Sequence, residues 1–221
     1  MTGNIKTMLF DLDGTILDTN ELIIRSFIES LKGYVPEGFG REHIIPSMGN
    51  TLVDQMKLFS GLEDVTALVA AYREVNLQLH DEYVKSFDYV NEVIVKLHAH
   101  GIQIGVVTTK MRLTTERGLK FVGLYDYIDA IVTIDDVVNP KPHAEPVSKA
   151  IAMLGADPGS TIMVGDSVVD IQSAVNAGAI SVGVAWSLKG EQLLKSAGAH
   201  HIIYDMRDLY AFIGLERESL A

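Results

Sequence analysis

Short apolar runs alternate with amphipathic segments along most of this chain, and the alternation limits the folds that it can adopt. The apolar runs have the length of buried strands, and the segments between them have the 3.6-residue period of helices. Strands are predicted at 7–10, 102–107, 128–132, 162–164, 180–184 and 201–203. Helices are predicted between them at 112–121, 146–154, 169–177 and 191–196. Because strands that alternate with helices form βαβ units, we expect an α/β fold with a parallel sheet covered on both faces.

Residues 19–86, which we call the insert, differ from the rest of the chain because they show helical periodicity and no strand signal. Helices are predicted there over 22–31, 52–58 and 65–84. Thr19 or Asp18 can cap the first of these helices. The insert separates the first strand from the rest of the sheet, so we expect a second, all-helical domain. The predicted domains are an α/β core, 1–17 and 87–221, and a helical domain, 18–86.

Composition excludes several classes of protein. The formal charge of −11 repels polyanions, so we expect neither a nucleic acid nor a membrane surface as a partner. The chain has no cysteine, which excludes disulfides and thiolate metal sites. No apolar run approaches the roughly 18 residues of a membrane span. Residues 1–7 lack the apolar stretch of a secretion signal, so we expect a cytoplasmic protein.

Polar residues follow four of the predicted strands, close to the point where each strand ends. Parallel sheets bind ligands outside the carboxyl ends of their strands, so we expect these residues to meet at one rim of the sheet. In chain order they are Asp11 and Asp13, then Thr108 with Thr109 and Lys110, then Lys141, and finally Asp166 and Asp170. Each cluster alone could be only a turn or a helix cap. Four clusters in order favour a functional site.

The chemistry of these residue types is consistent with phosphoryl transfer. Carboxylates gathered at one point repel each other unless a cation lies among them, and oxygen ligands without His or Cys favour Mg²⁺. A carboxylate beside such an ion can attack phosphorus and form an aspartyl-phosphate, while a lysine and hydroxyls neutralise the transferring oxygens. The second aspartate, two residues later, can act as an acid and then as a base.

The same residues resemble the signatures of a known family. DLDGT at 11–15, Thr108 after its strand, Lys141 within PKP and GDSVVD at 165–170 resemble the four signatures of the haloacid dehalogenase superfamily of phosphatases. The resemblance implies a Rossmann-like core with a mobile helical cap inserted after the second aspartate. It also implies a phosphotransfer enzyme, because the dehalogenases of the superfamily lack the second aspartate.

The resemblance assigns a role to each residue of the rim. Asp11 would be the nucleophile and Asp13 the general acid and base. Mg²⁺ would be bound by the carboxylates of Asp11 and Asp166 and by the backbone carbonyl of Asp13, and Asp170 would orient the metal shell. The phosphoryl oxygens would be held by side chains and backbone N–H groups of Gly14, Thr108, Thr109 and Lys141.

The chain resembles the bacterial PpaX-type pyrophosphatases more closely than the phosphoglycolate phosphatases, which share the four signatures. Three segments carry this closer resemblance: 17–27, 72–90 and 106–112. It favours inorganic pyrophosphate as the small phosphorylated substrate. Three alternatives remain open: phosphoglycolate or another small phosphate monoester, a β-phosphoglucomutase-like mutase reaction, and a non-catalytic phosphate sensor.

The insert is acidic, because it holds six Lys and Arg residues against ten Asp and Glu residues. A distal phosphate would therefore need particular cations. Lys110 is the first candidate, ahead of Arg112, because it follows the hydroxyls of the rim; alternatively, Lys110 only caps its loop. The turn SMGNT at 47–51 could enter the site from the insert, or it could only connect two helices.

Overall fold

The structure is a computed structural model that describes residues 5–217. Residues 1–4 and 218–221, which the predicted core includes, lie outside the described residues. The strands and helices, in chain order, are β1 Thr7–Phe10, β2 Leu17–Asp18, α1 Asn20–Ser30, α2 Arg41–Ile44, α3 Leu52–Ser60, α4 Thr66–Tyr83, β3 Lys85–Ser86, α5 Val90–Ala99, β4 Gln103–Val107, α6 Arg112–Phe121, β5 Ala130–Val132, α7 Glu145–Met153, β6 Thr161–Gly165, α8 Val168–Asn176, β7 Ile180–Val184, α9 Glu191–Ser196 and β8 His201–Ile203.

Six strands form one parallel sheet in the order β5-β4-β1-β6-β7-β8. They are the six strands that the apolar runs predict, so the α/β prediction is confirmed. β1 lies between β4 and β6, with Phe10 paired to Val106 on one side and to Val164 on the other. The chain leaves β1 for β4 and later returns to β6 on the opposite side. The carboxyl end of β1 is therefore the switch point where sheets of this type bind ligands.

Helices cover both faces of the sheet, which explains why β1 is apolar along its length. Met8, Leu9 and Phe10 are all fully buried. Met8 and Phe10 belong to the hydrophobic cluster that contains Val93 of α5, whereas Leu9 belongs to the cluster that contains Val147 of α7. Burying a side chain of this size stabilises the fold by about 1.5–3 kcal/mol. A strand that is buried along its whole length thus carries the first two aspartates to the rim.

The helices of the insert pack around a hydrophobic cluster of their own. Phe27 of α1 is fully buried there and contacts the rings of Phe59 and Tyr72, with centroids 5.2 Å and 4.6 Å away. This separate cluster is consistent with a helical domain, whose boundaries stay a prediction. Within residues 5–217, no helix combines the length and the apolar character needed to cross a bilayer.

The expectation that the insert contains no strand was wrong at its end. β3 pairs antiparallel with β2, with Leu17 opposite Ser86 and Asp18 opposite Lys85. Two residues are too few to show a period-2 pattern, and Lys and Ser carry no strand signal of their own. The pairing depends on the return of the chain to the core and connects the two ends of the insert.

Candidate active site

The four predicted clusters do meet at one rim, at the carboxyl ends of β1, β4 and β6. The backbone N–H of Asp11 donates to the carbonyl of Val164 at 2.9 Å, which continues the ladder one residue beyond β1. The N–H of Thr108 donates to the carbonyl of Val132 in the same way, at 2.9 Å. Because neighbouring strands end at the same level, the residues that follow them become neighbours.

Lys141 holds two of the carboxylates together. Its Nζ donates to Asp11 Oδ1 at 2.7 Å, to Asp170 Oδ1 at 2.5 Å and to the carbonyl of Val107 at 3.0 Å. The side chain is buried, and these three acceptors match the three donors of an ammonium. Burial by itself lowers the pKa of Lys141, but the two carboxylates outweigh it and hold that pKa above its usual range. Lys141 therefore remains a buried cation.

Asp11, Asp166 and Asp170 form a buried cluster in which each offers a carboxylate oxygen within 4.8 Å of the others. Burial raises the pKa of Asp11 well above its usual range; Lys141 opposes this, and the other two carboxylates add to it. Burial also raises the pKa of Asp166 to about 6. When all three are ionised, these carboxylates and the one lysine together carry an excess negative charge. An all-oxygen donor set with that charge fits a hard divalent cation such as Mg²⁺.

Asp170 is fixed from two sides. Its Oδ1 accepts from Lys141, and its Oδ2 accepts from the backbone N–H of Ser167 at 3.0 Å and from the Ser167 hydroxyl at 2.5 Å. Ser167 and Asp170 also cap the start of α8. This arrangement agrees with a residue that orients its neighbours. The Asp13 side chain is not part of the cluster, and the predicted role of its backbone carbonyl as a metal ligand stays a prediction.

Asp13 faces the cavity side of the rim and has partners of its own. Lys110 Nζ donates to both of its carboxylate oxygens, at 3.0 Å and 3.1 Å, and the hydroxyl of Thr19 donates to Oδ1 at 2.7 Å. Thr19 precedes α1 as predicted, but its side chain makes no capping bond. Its contact with Asp13 could not be predicted from the sequence, because a Thr before a helix signals only a cap. Lys110, predicted for the distal phosphate, is an ion-pair partner of Asp13 in this structure.

Gly14 allows the turn after Asp13 to lie against the carboxylate cluster. Its φ is +86°, and a Cβ added there would lie 2.6 Å from Asp166 Oδ2. Any other residue would therefore displace a predicted metal ligand. Its N–H donates to the carbonyl of Leu17 at 2.8 Å, within the turn. The predicted contact of this N–H with a phosphoryl oxygen stays a prediction.

A cavity of about 240 Å³ lies between the rim and the insert. The rim contributes Asp11, Asp13, Thr108, Thr109, Lys110 and Asp166, and the insert contributes residues of the 48–55 segment and of α4. The turn at 47–51 thus enters the site, as one of its two interpretations predicted. The cavity gives Asp11 and Asp13 access to a small ligand.

Two hydrogen bonds attach the 47–51 turn to the core, and the backbone at Gly49 lies close against Ser167. The Thr109 hydroxyl donates to the carbonyl of Gly49 at 3.3 Å, and Lys189 Nζ donates to the carbonyl of Met48. At Gly49, where φ is +96°, an added Cβ would lie 2.7 Å from Ser167 Oγ. Lys189, which is not among the residues predicted from the sequence, also opposes the rise in the pKa of Asp166. Its loop after β7 carries no motif that could have identified it.

Comparison with known proteins agrees with the geometry. Residues 8–184 match the family described as haloacid dehalogenase-like hydrolase. Pyrophosphatase PpaX of Bacillus velezensis is 42% identical over 214 residues, which cover 96% of this chain and 98% of that protein. Pyrophosphatase PpaX of Bacillus cereus is 43% identical over 207 residues, which cover 93% and 94% of the two chains.

Among solved structures, a haloacid dehalogenase-like hydrolase from Bacteroides fragilis superposes with a TM-score of 0.84 at 26% identity. The superposition covers 93% of this chain and 99% of that one. The family match therefore includes five of the six strands of the sheet, the rim and the insert. This chain belongs to the haloacid dehalogenase-like hydrolases, and its similarity to the PpaX pyrophosphatases supports a phosphatase enzyme.

Proposed function

We propose that this protein hydrolyses inorganic pyrophosphate to phosphate, with Mg²⁺, through an aspartyl-phosphate formed on Asp11. The observation that supports this chemistry is that the two aspartates after β1 have different environments and different hydrogen-bond partners. Both line the cavity, but Asp11 accepts from the buried Lys141, whereas Asp13 accepts from Lys110 and Thr19. The identity to two PpaX pyrophosphatases supports pyrophosphate as the substrate.

The proposed reaction has two displacements at phosphorus. A carboxylate oxygen of Asp11 attacks the phosphorus, and the bond from phosphorus to the bridging oxygen breaks while Asp13 donates a proton to that oxygen. Asp13 then takes a proton from water, whose oxygen attacks the same phosphorus. The bond to Asp11 breaks, which releases the second phosphate and returns Asp11 to its carboxylate and Asp13 to its protonated form. Lys141 offsets the negative charge that gathers around Asp11 in both displacements.

Asp11, Asp166 and the backbone carbonyl of Asp13 would hold Mg²⁺, and Asp170 would orient the shell. When bound, the ion supplies positive charge against the transferring phosphoryl oxygens. The excess negative charge of the buried cluster supports this assignment. The cytoplasmic location expected from the sequence stays a prediction.

A panel of phosphorylated compounds tests the substrate. We expect the kcat/KM for pyrophosphate to exceed those for phosphoglycolate, a sugar phosphate and an aryl phosphate, with Asp11→Asn as the control for contaminating phosphatases. A tenfold preference for phosphoglycolate would refute pyrophosphate and leave the mechanism standing. Conversion of a sugar phosphate into its isomer without release of phosphate would indicate a mutase. Binding of phosphate with no turnover of any compound would indicate a sensor.

A further inference from the structure

The insert contains one cation without a partner. Five of its six Lys and Arg residues contact an acidic or aromatic side chain: Lys32 contacts Glu29, Arg41 contacts Glu21, Lys57 contacts Glu63, Lys85 contacts Asp18, and Arg25 lies over the ring of Tyr83. Within the described part of the chain, the side chain of Arg73 in α4 makes no hydrogen bond, ion pair or ring contact. An exposed arginine without a partner is free to bind a ligand.

Arg73 lines the cavity, on the side opposite the rim. None of the ten Asp and Glu residues of the insert lines the same cavity. The wall that the acidic insert presents to the site is therefore neutral except for Arg73. The other cation that lines the cavity, Lys110, already pairs with Asp13. Among the described lining residues, Arg73 is thus the cation that has no carboxylate partner.

Two asparagines line the same cavity as Arg73, and the amide of Asn76 already donates to Ser26 Oγ at 3.2 Å. Asn76 follows it by three residues on the same helix, lines the same cavity and is buried. Asn50 lines the cavity from the 47–51 turn. An arginine presents a planar fork of donors that matches two oxygens of a phosphate or carboxylate. A substrate whose phosphoryl group lies at Asp11 and which extends toward α4 would bring its far end to this fork.

We propose that Arg73 binds the anionic group of the substrate that is distal to the transferring phosphoryl group, and so determines specificity for doubly anionic substrates. The inference rests on the proposed function only for the identity of that group, which is the leaving phosphate if the substrate is pyrophosphate. Lys110 then serves Asp13, and Arg73 serves the distal anion.

The test compares pyrophosphate with an aryl phosphate, whose distal half is uncharged. In Arg73→Gln we expect the ratio of the two kcat/KM values to fall by about 10–100-fold, as for loss of a hydrogen bond between charged groups. Arg73→Lys keeps the charge but not the fork, so its ratio should fall less. Lys57→Gln removes the same charge from α3, outside the cavity, and should leave the ratio unchanged. An unchanged ratio in Arg73→Gln, or an equal fall in Lys57→Gln, would overturn the proposal.

The wild-type enzyme separates this inference from the proposed function. If the wild type hydrolyses pyrophosphate well and Arg73→Gln keeps the ratio, only the role of Arg73 fails. If the wild type prefers phosphoglycolate, the pyrophosphate assignment fails, and the ratio is measured again with phosphoglycolate against the aryl phosphate. A selective loss in Arg73→Gln would then support the distal-anion role, and an equal loss would refute it. Melting curves of each variant check that the fold is intact.

Discussion

Replacing Asp166 by Asn tests whether the carboxylate cluster is built for a cation. Asp166 is buried between the turn at Gly14 and its neighbouring carboxylates. Burial raises its pKa from an ordinary value of 3.8 to about 6 in the protein without metal. A difference of about two pKa units corresponds to about 3 kcal/mol of unfolding free energy. Without metal, the ionised Asp166 should therefore destabilise the fold by about that amount.

The sign of this effect depends on pH. Below about pH 4, the Asp166 carboxyl is protonated in both the folded and the unfolded protein, so its raised pKa has no effect on stability. Between about pH 4 and pH 6, the folded protein keeps a proton that the unfolded chain has lost, and the unfolding free energy falls as the pH rises. Above about pH 6, the full destabilisation by the ionised Asp166 is present. Asn carries no charge, so Asp166→Asn should be more stable than the metal-free wild type above pH 6.

Urea denaturation at pH 5 and at pH 8 measures the effect, in chelator and in Mg²⁺. Trp186 is the single tryptophan and donates from Nε1 to the carbonyl of Gly14 at 3.2 Å, so its fluorescence reports on this site. In chelator at pH 8 the variant should exceed the wild type by up to about 3 kcal/mol, and Mg²⁺ should stabilise the wild type more than the variant. Asp126→Asn is the control, because it makes the same change at an exposed aspartate and should leave the unfolding free energy nearly unchanged. Equal stabilities of Asp166→Asn and the wild type in chelator would refute the reasoning.

Four further outcomes test the mechanism by steady-state and single-turnover kinetics. Asp11→Asn should fold normally and lose at least about 1,000-fold in kcat, because the nucleophile is gone; near wild-type turnover would contradict the mechanism. Asp13→Asn should slow both formation and hydrolysis of the aspartyl-phosphate, by about 10²–10⁴-fold, whereas loss in one step alone would remove its double role. Lys110→Ala should reduce hydrolysis of pyrophosphate and of an aryl phosphate alike, because the ammonium on Asp13 is lost; a loss confined to pyrophosphate would restore the distal-phosphate role predicted from the sequence. Chelation should abolish activity, with Mg²⁺ but not Ca²⁺ restoring it, and full activity in excess chelator would exclude the metal.

The sheet could be predicted from the sequence because its signals are local. A strand buried on both faces is visible in the sequence as a short apolar run. The helical period is also local, and both α6 and α9 begin and end at the residues that it predicts. The rim could be predicted for the same reason, since each polar cluster directly follows a strand or a short loop. Parallel pairing then brings residues such as Asp11 and Asp166, far apart in the chain, into one buried cluster.

The missed features all depend on contacts between distant segments. β3 exists because the chain returns beside β2, and Thr19 bonds to Asp13 because the turn at Gly14 folds back. Lys189 reaches the carbonyl of Met48 from a loop near the end of the chain. Nothing in the residues next to Thr19 or Lys189 distinguishes these contacts from an ordinary cap or a solvated lysine. Only the folded arrangement gives them a role.

The net charge of the insert does not predict the charge of the cavity wall that the insert forms. Ten carboxylates against six cations suggest a domain that repels phosphate. Yet charges exposed to solvent are screened within a Debye length of about 8–10 Å at ordinary ionic strength, and no carboxylate of the insert lines the cavity. A ligand inside the cavity meets Arg73 directly and meets the acidic surface only through water and salt. The sequence favours Lys110 because it lies next to the rim in the chain. In the structure, the ammonium of Lys110 is paired with Asp13. The lining cation without a carboxylate partner is Arg73, which comes from α4 on the insert side of the cavity.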